Sequence, residues 1–207
     1  MFNVLKVIAK KGTCLFVLFS SSFFMFGFLR IFCLAAPLVL VSFSATAWSF
    51  SEYLSELGQN IKDTLNCGRW NAYIPVYAWH NRLTYDKKHI KKYNENPWGL
   101  GIGKYLYEGK DWHSVYAMVF EDSNRHPETF FGYIFIKNYS LNEADTWRAG
   151  IGYTLGITQR HEYHYIPIPA PLPIASISYK NISLNATYVP GLKNNGNVLF
   201  SWLRFDF

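Results

Sequence analysis

Beyond residue 66 the chain consists almost wholly of short alternating segments, rich in aromatic residues and separated by Gly, Asn and Pro, and eight of them can be counted. They are Ala72–Tyr85, Trp98–Glu108, Asp111–Asp122, Thr129–Tyr139, Thr146–Arg160, Tyr163–Tyr179, Ile182–Pro190 and Asn197–Phe207. A period of two places successive side chains on opposite faces of a strand. Every segment has at least the roughly 9–11 residues that a tilted strand needs to cross a bilayer. Turn chemistry separates them, as at Glu108-Gly109-Lys110 and at Lys193–Asn197. An even number of antiparallel strands lets the ends of the sheet meet, and closure matters because an open edge would leave unpaired backbone groups in hydrocarbon. The expected fold class is therefore all-β, an eight-stranded antiparallel transmembrane β-barrel.

Composition alone also fits a soluble barrel of the lipocalin kind. The last segment favours the membrane. It places Leu199, Leu203, Phe205 and Phe207 on one face, Arg204 and Asp206 on the other, and ends on an aromatic residue. Alternation assigns interiors elsewhere. In Thr146–Arg160 the odd positions from Trp147 to Ile157 are apolar and face lipid, whereas Arg148, Gly150, Gly152, Thr154, Gly156 and Thr158 face the lumen and are small enough to leave a cavity. In Asp111–Asp122 one face carries Ser114, Tyr116, Met118 and Phe120 and the other Val115, Ala117 and Val119, so the lumen is not a uniformly wet pore. Such a lumen suits a hydrocarbon chain, which at about 0.8 kcal/mol per buried methylene has roughly 10 kcal/mol at stake. A lumen plugged by its own side chains fits the same pattern.

Two segments precede the barrel. Phe50, Tyr53, Leu54, Leu57, Ile61 and Leu65 recur at intervals of three and four, which predicts one amphipathic helix over 48–66. Residues 1–47 contain only four charges, Lys6, Lys10, Lys11 and Arg30, among apolar runs that end in Ser44-Ala45-Thr46-Ala47. That is a signal-peptide pattern with cleavage after Ala47; Met25 is an alternative start, and an uncleaved membrane anchor is the competing reading. Without the leader, 16 basic residues face 14 acidic ones, so the net charge of +6 falls to +2 and implies no nucleic-acid partner. Only Cys67 remains of three cysteines, which leaves no intrachain disulfide. The His, Cys and acidic residues have no spacing that forms a metal-ligand set.

Three stretches carry the chemistry: Tyr73–Arg82 (YIPVYAWHNR), Tyr93–Gly99 (YNENPWG) and Tyr116–Ser123 (YAMVFEDS). Together with Tyr165–Pro169, Leu172–Ser176, Tyr188–Gly191, Asn194–Asn197 and Trp202–Phe207, they resemble the lipid A palmitoyltransferase family of Gram-negative outer membranes, collinearly from about Tyr73 onward. The resemblance implies an N-terminal helix packed at the periplasmic end of the barrel and an active site at the outer lip. It implies an acyl chain, usually palmitate, taken from the sn-1 position of a glycerophospholipid and esterified to a hydroxyacyl chain of lipid A by a monomer needing no cofactor. By motif position it implies His80, Asp122 and Ser123 as catalytic residues.

The chemistry of those residues is a separate argument, since a His-Asp-Ser set by itself is more often ordinary loop polarity and gains its meaning from the matched motifs. Acyl transfer needs a base to activate a hydroxyl, and a neutral histidine can serve. Asp122 is a candidate to orient His80, and Ser123 a candidate nucleophile or oxyanion donor, yet neighbours in an extended chain point opposite ways. The pair therefore cannot both meet one imidazole unless the loop turns. Pro75, Pro167 and Pro190 each remove a ladder donor, and the resemblance implies that such prolines mark lateral openings for lipid. Tyr116 and Met118 are expected to line the acyl pocket. Where palmitate-selective members have glycine at the pocket floor this chain has Ile134, which predicts either a shorter slot or a floor enlarged elsewhere. Competing readings are a non-enzymatic barrel acting as adhesin, scaffold or narrow pore, and a phospholipase that uses water as acceptor.

Overall fold

The computed structural model describes residues 49–207; the expected leader lies outside the described residues. Helix α1 occupies residues 49–67 and leads through Gly68 into the first strand. Nine strands follow: β1 (Arg69–His80), β2 (Gly99–Glu108), β3 (Asp111–Glu121), β4 (Pro127–Ser140), β5 (Trp147–Gln159), β6 (Ile168–Pro169), β7 (Leu172–Tyr179), β8 (Ile182–Val189) and β9 (Val198–Asp206). A short helix, α2 (Lys87–Lys92), interrupts the connection from β1 to β2. Eight of the strands form an antiparallel meander that β9 closes by pairing with β1, from Asn71–Asp206 to His80–Val198; β6 pairs only with β5. The barrel and most of α1 make one unit, Glu52–Phe207.

Closure leaves an inside and an outside that follow the alternation. On β3, Ser114, Tyr116 and Met118 are buried in the lumen, while Val119 on the opposite face is exposed. Ile74, Leu100, Ile102, Phe131, Ile151, Ile177 and Leu184 add to that exposed apolar belt. Trp70, Tyr139, Trp147, Tyr179 and Phe207 ring one end, an aromatic girdle of the kind that sits at a membrane boundary. Among the described residues no helix is long and apolar enough to cross a membrane. That girdled end, with the Gly109–Lys110 turn, is called lower; His80 and the loops 81–98, 122–126 and 190–197 are upper. α1 lies against the outside of the wall, where Tyr53 Oη meets Tyr153 Oη at 2.5 Å and Lys104 Nζ donates to the Leu65 carbonyl at 2.8 Å.

The wall departs from the segments read in the sequence where local chemistry overrides alternation. The first strand begins at Arg69, because Arg69, Trp70 and Asn71 pair with β2, and it ends at His80, beyond which Asn81 turns the chain. The stretch expected as one strand over Tyr163–Tyr179 is broken. A 3-10 turn occupies His161–Tyr163, His164 and Tyr165 adopt positive φ (52° and 59°), and prolines confine β6 to two residues. The lumen-facing glycines of β5 leave no cavity of their own. A Cβ at Gly152 would lie 1.8 Å from the Phe135 carbonyl and one at Gly150 2.5 Å from Ile136 Cγ2, so β4 already fills that space.

Candidate functional site

The lumen has two halves. The upper contains a cavity of about 670 Å³, within the range of small-molecule sites, walled by Met118, Phe120, Phe130, Leu172, Val198 and Phe200 among others. Its lowest lining residues include Tyr116, Thr154, Thr187 and Trp202, and the Tyr116 and Thr154 hydroxyls meet at 3.1 Å to tie that level together. The lower half is filled by a mixed core, in which Trp112, Ile134 and Ile136 pack beside buried polar side chains. Arg204 pairs with Asp206 at 3.0 Å and lies 3.7 Å from the centre of the Trp112 ring, while Asn71, Tyr73 and Ser114 form a hydrogen-bonded cluster.

Behind Ser123, which lines the cavity, stands His80, 1 % exposed at the end of β1. Its ring is flanked by Tyr85, edge-on at 5.1 Å, and Tyr93, tilted at 5.0 Å. Nδ1 is 3.1 Å from Glu95 Oε1 and Nε2 is 2.8 Å from Ser123 Oγ. A carboxylate only accepts, so on neutral His80 the proton sits on Nδ1 and Nε2 is left to accept the serine hydroxyl. Glu95 is itself held from several sides. Arg82 binds it through both guanidinium nitrogens at 2.5 and 2.6 Å, Tyr77 donates at 3.1 Å, and the His80 amide donates at 3.1 Å. The Arg82 guanidinium, foremost among these, pulls the Glu95 carboxyl down to about 2 from an ordinary 4.5. The result is a serine, a histidine and a carboxylate in one hydrogen-bonded line, the arrangement that activates a hydroxyl for acyl transfer.

The residues singled out in the sequence separate into groups. His80 and Ser123 meet. Asp122 does not touch His80; its Oδ1 accepts the amides of Asn124 (2.7 Å) and His126 (2.9 Å), and its own amide donates to the His126 carbonyl. It folds the 122–126 loop, which Asn94 also pins by donating to the Ser123 carbonyl at 2.8 Å. Tyr116 and Met118 line the cavity, whereas Ile134 does not; it packs in the buried core with Trp112, Ile136 and Ile174, opposite Thr154 in the ladder. Pro75 lies in β1 at a register shift, above the point where the β1–β2 ladder stops at Tyr73–Gly101. Pro190 follows β8 and lines the cavity, beside the place where the β7–β8 ladder begins only at Ile174–Thr187; Pro167 lies in the loop just before β6. Glu95 was not singled out by sequence reasoning, although it lies inside the matched stretch Tyr93–Gly99. Its partner is fifteen positions away across a folded loop, and no spacing rule links them.

A closed membrane-type barrel with a greasy upper chamber and a serine–histidine–carboxylate line at its mouth defines an integral membrane protein equipped for chemistry on acyl chains. A family profile described as "Antimicrobial peptide resistance and lipid A acylation protein PagP" matches residues 60–204. Three relatives bear the name "Lipid A acyltransferase PagP". That from Yersinia enterocolitica is 57% identical over 150 residues, covering 72% of this chain and 74% of its own. That from Proteus mirabilis is 50% identical over 156 residues, 74% of each chain. That from Dickeya chrysanthemi is 41% identical over 188 residues, 86% of this chain and 95% of its own. The chain belongs to the PagP family of acyltransferases, and barrel and family together fit a protein of the outer membrane.

Proposed function

We propose that this acyltransferase removes the sn-1 acyl chain of a glycerophospholipid and esterifies it to a hydroxyacyl chain of lipid A, at the outer face of the outer membrane. The observation that carries this reading is the 2.8 Å contact of His80 Nε2 with Ser123 Oγ at the mouth of an apolar cavity large enough for a hydrocarbon chain. In the first step Ser123 Oγ attacks the ester carbonyl while its proton passes to His80 Nε2; the sn-1 C–O bond breaks and the lysophospholipid oxygen takes that proton. In the second step His80 accepts the proton of the lipid A hydroxyl, whose oxygen attacks the acyl-serine, and returns it to Ser123 as that ester breaks. Glu95 keeps the imidazole in the tautomer both steps require. Asp122 holds the loop that presents Ser123.

Lipid must reach this site sideways, because the barrel wall separates the chamber from the leaflet. The interrupted ladders at Pro75 and near Pro190 are the places where the fewest backbone hydrogen bonds resist such entry. The added chain thickens the packing of the outer leaflet and so slows cationic peptides. The test is expression in a host lacking the activity, with mass spectrometry of its lipid A. Wild type should add one acyl mass, and His80→Ala and Ser123→Ala should add none while still folding as heat-modifiable barrels. Unmodified lipid A with wild type would overturn the reading and favour a non-enzymatic barrel.

A further inference from the structure

We infer that α2 and its flanks form a docking site for the phosphorylated saccharide headgroup of the acceptor lipid, so that acceptor binding is read directly by the loop that frames His80. This rests on the reading of the upper rim as a lipid A acylation site. Four lysines, Lys87, Lys88, Lys91 and Lys92, occupy α2 itself and all are exposed. Among the described residues none of their amino groups has an ion-pair or hydrogen-bond partner, because the acids of the loop are already engaged. Asp86 is held by Lys193 at 3.8 Å and by Asn194 at 2.9 Å, and Glu95 by Arg82, Tyr77 and His80.

Lys87 and Lys91, and likewise Lys88 and Lys92, stand four apart on one helix, a spacing at which like charges repel. A six-residue helix with that burden gains most from a multiply charged anion laid across it. Each headgroup of a zwitterionic phospholipid offers no net negative charge, whereas a saccharide bearing phosphates does, so charge complementarity selects the acceptor over the donor. The placement is equally specific. Tyr85, just ahead of α2, and Tyr93, which caps it, are the two rings packed on His80, and Glu95 lies two residues further on. Anchoring α2 therefore steadies both walls of the histidine. Leu83, 94 % exposed at the same loop, places an apolar side chain next to the lysines, as an interfacial contact requires.

The experiment measures binding of deacylated, bisphosphorylated glucosamine disaccharide to the detergent-solubilised barrel by titration calorimetry. It compares wild type, a variant combining Lys87→Gln, Lys88→Gln, Lys91→Gln and Lys92→Gln, and the matching four-arginine variant. Each lysine near an anionic surface strengthens binding by about fivefold. The glutamine variant should therefore bind at least ~10-fold more weakly, the arginine variant should keep the affinity, and salt should weaken wild type and the arginine variant but not the glutamine variant. The disaccharide without phosphates should bind all three equally poorly. Equal affinity of wild type and the glutamine variant for the phosphorylated probe would overturn the inference, as would equally tight binding of glycerophosphoglycerol, a phospholipid headgroup. Lipid A transfer by wild type is scored separately. Binding without transfer refutes the function proposed above and leaves the anion site standing, whereas transfer without lysine-dependent binding refutes only the site.

Discussion

The two halves of one lumen are built by the same strands, yet one is open and the other filled. Above Tyr116 and Thr154 the inward side chains, mainly apolar ones such as Met118, Phe120, Phe130 and Phe200 with Glu128, Thr158 and Arg160 among them, stand back from one another, leaving about 670 Å³. Below them Arg204, Asp206, Asn71, Ser114, Ser178 and Ser183 are buried and closely joined. The difference separates stability from function along the barrel axis. An eight-stranded barrel has an interior just wide enough for its own side chains to fill, so an empty upper half is a departure that must be supported from below. The filled lower half supplies that support through buried polar contacts that each need a partner and through the packing of Trp112, Ile134 and Ile136, whereas Met118, Phe120, Phe130 and Phe200 above offer a chain contacts that need none.

The largest expected effect lies in the lower half. Arg204→Leu strands the Asp206 carboxylate in a buried setting, and breaking such a pair costs about 3–5 kcal/mol. Urea unfolding in detergent should show that loss, with the double variant Arg204→Leu, Asp206→Leu recovering much of it. Lipid A from the surviving folded Arg204→Leu protein should carry the same chain length as wild type. A changed chain length would break the division between halves.

At the upper rim the next largest effect is on turnover. Glu95→Gln removes the anion that fixes the His80 tautomer and frees Arg82, which should lower kcat by about 10- to 100-fold, the scale of one lost charge-assisted hydrogen bond. The KM for the donor should change little, since Glu95 does not line the cavity. The same residue gives a pH signature. Its carboxyl in the folded rim is held at about 2, below the ordinary 4.5. The stabilisation is thus complete above about pH 4.5 and disappears as the pH falls towards 2. An acid titration followed through the ring resonances of His80 should show that late acid limb in wild type and lose it in Glu95→Gln. A smaller effect separates Asp122 from chemistry. Asp122→Asn keeps an oxygen that accepts the Asn124 and His126 amides and should retain activity within about threefold, whereas Asp122→Ala loses both bonds and should drop much further. Equal losses in the two variants would mean that the charge of Asp122 acts directly.

The division itself was partly legible in the sequence. Alternation put Tyr116 and Met118 inward on β3 and made the chain an all-β barrel, because a period of two does not depend on what lies across the lumen. It could not show where the cavity ends. Ile134 has the right parity, but depth is set by neighbours on other strands, and the Tyr116–Thr154 contact stands at the lowest lined level while Ile134 belongs to the core. Nor could it show the carboxylate. Asp122 sits beside Ser123 in the chain, yet an Asx-type turn consumes its oxygen, and Glu95 arrives from a loop folded around Arg82. The break in Tyr163–Tyr179 was foreshadowed by its prolines, whereas positive φ at His164 and Tyr165 had no glycine to announce it.

The account stands or falls on the upper cavity being the seat of the transferred chain. Its most direct test is the length of the chain that appears on lipid A when the lowest lining level is cut away by Tyr116→Ala, read by mass spectrometry in a host with a mixed phospholipid pool. Each additional methylene that finds room gains about 0.8 kcal/mol, close to fourfold. The prediction is a shift of the product distribution to chains longer by two or more carbons, roughly as Tyr116 vacates the space between Phe130 and Tyr73 that its ring now occupies. A folded, active Tyr116→Ala barrel that transfers the same chain lengths as wild type would contradict it.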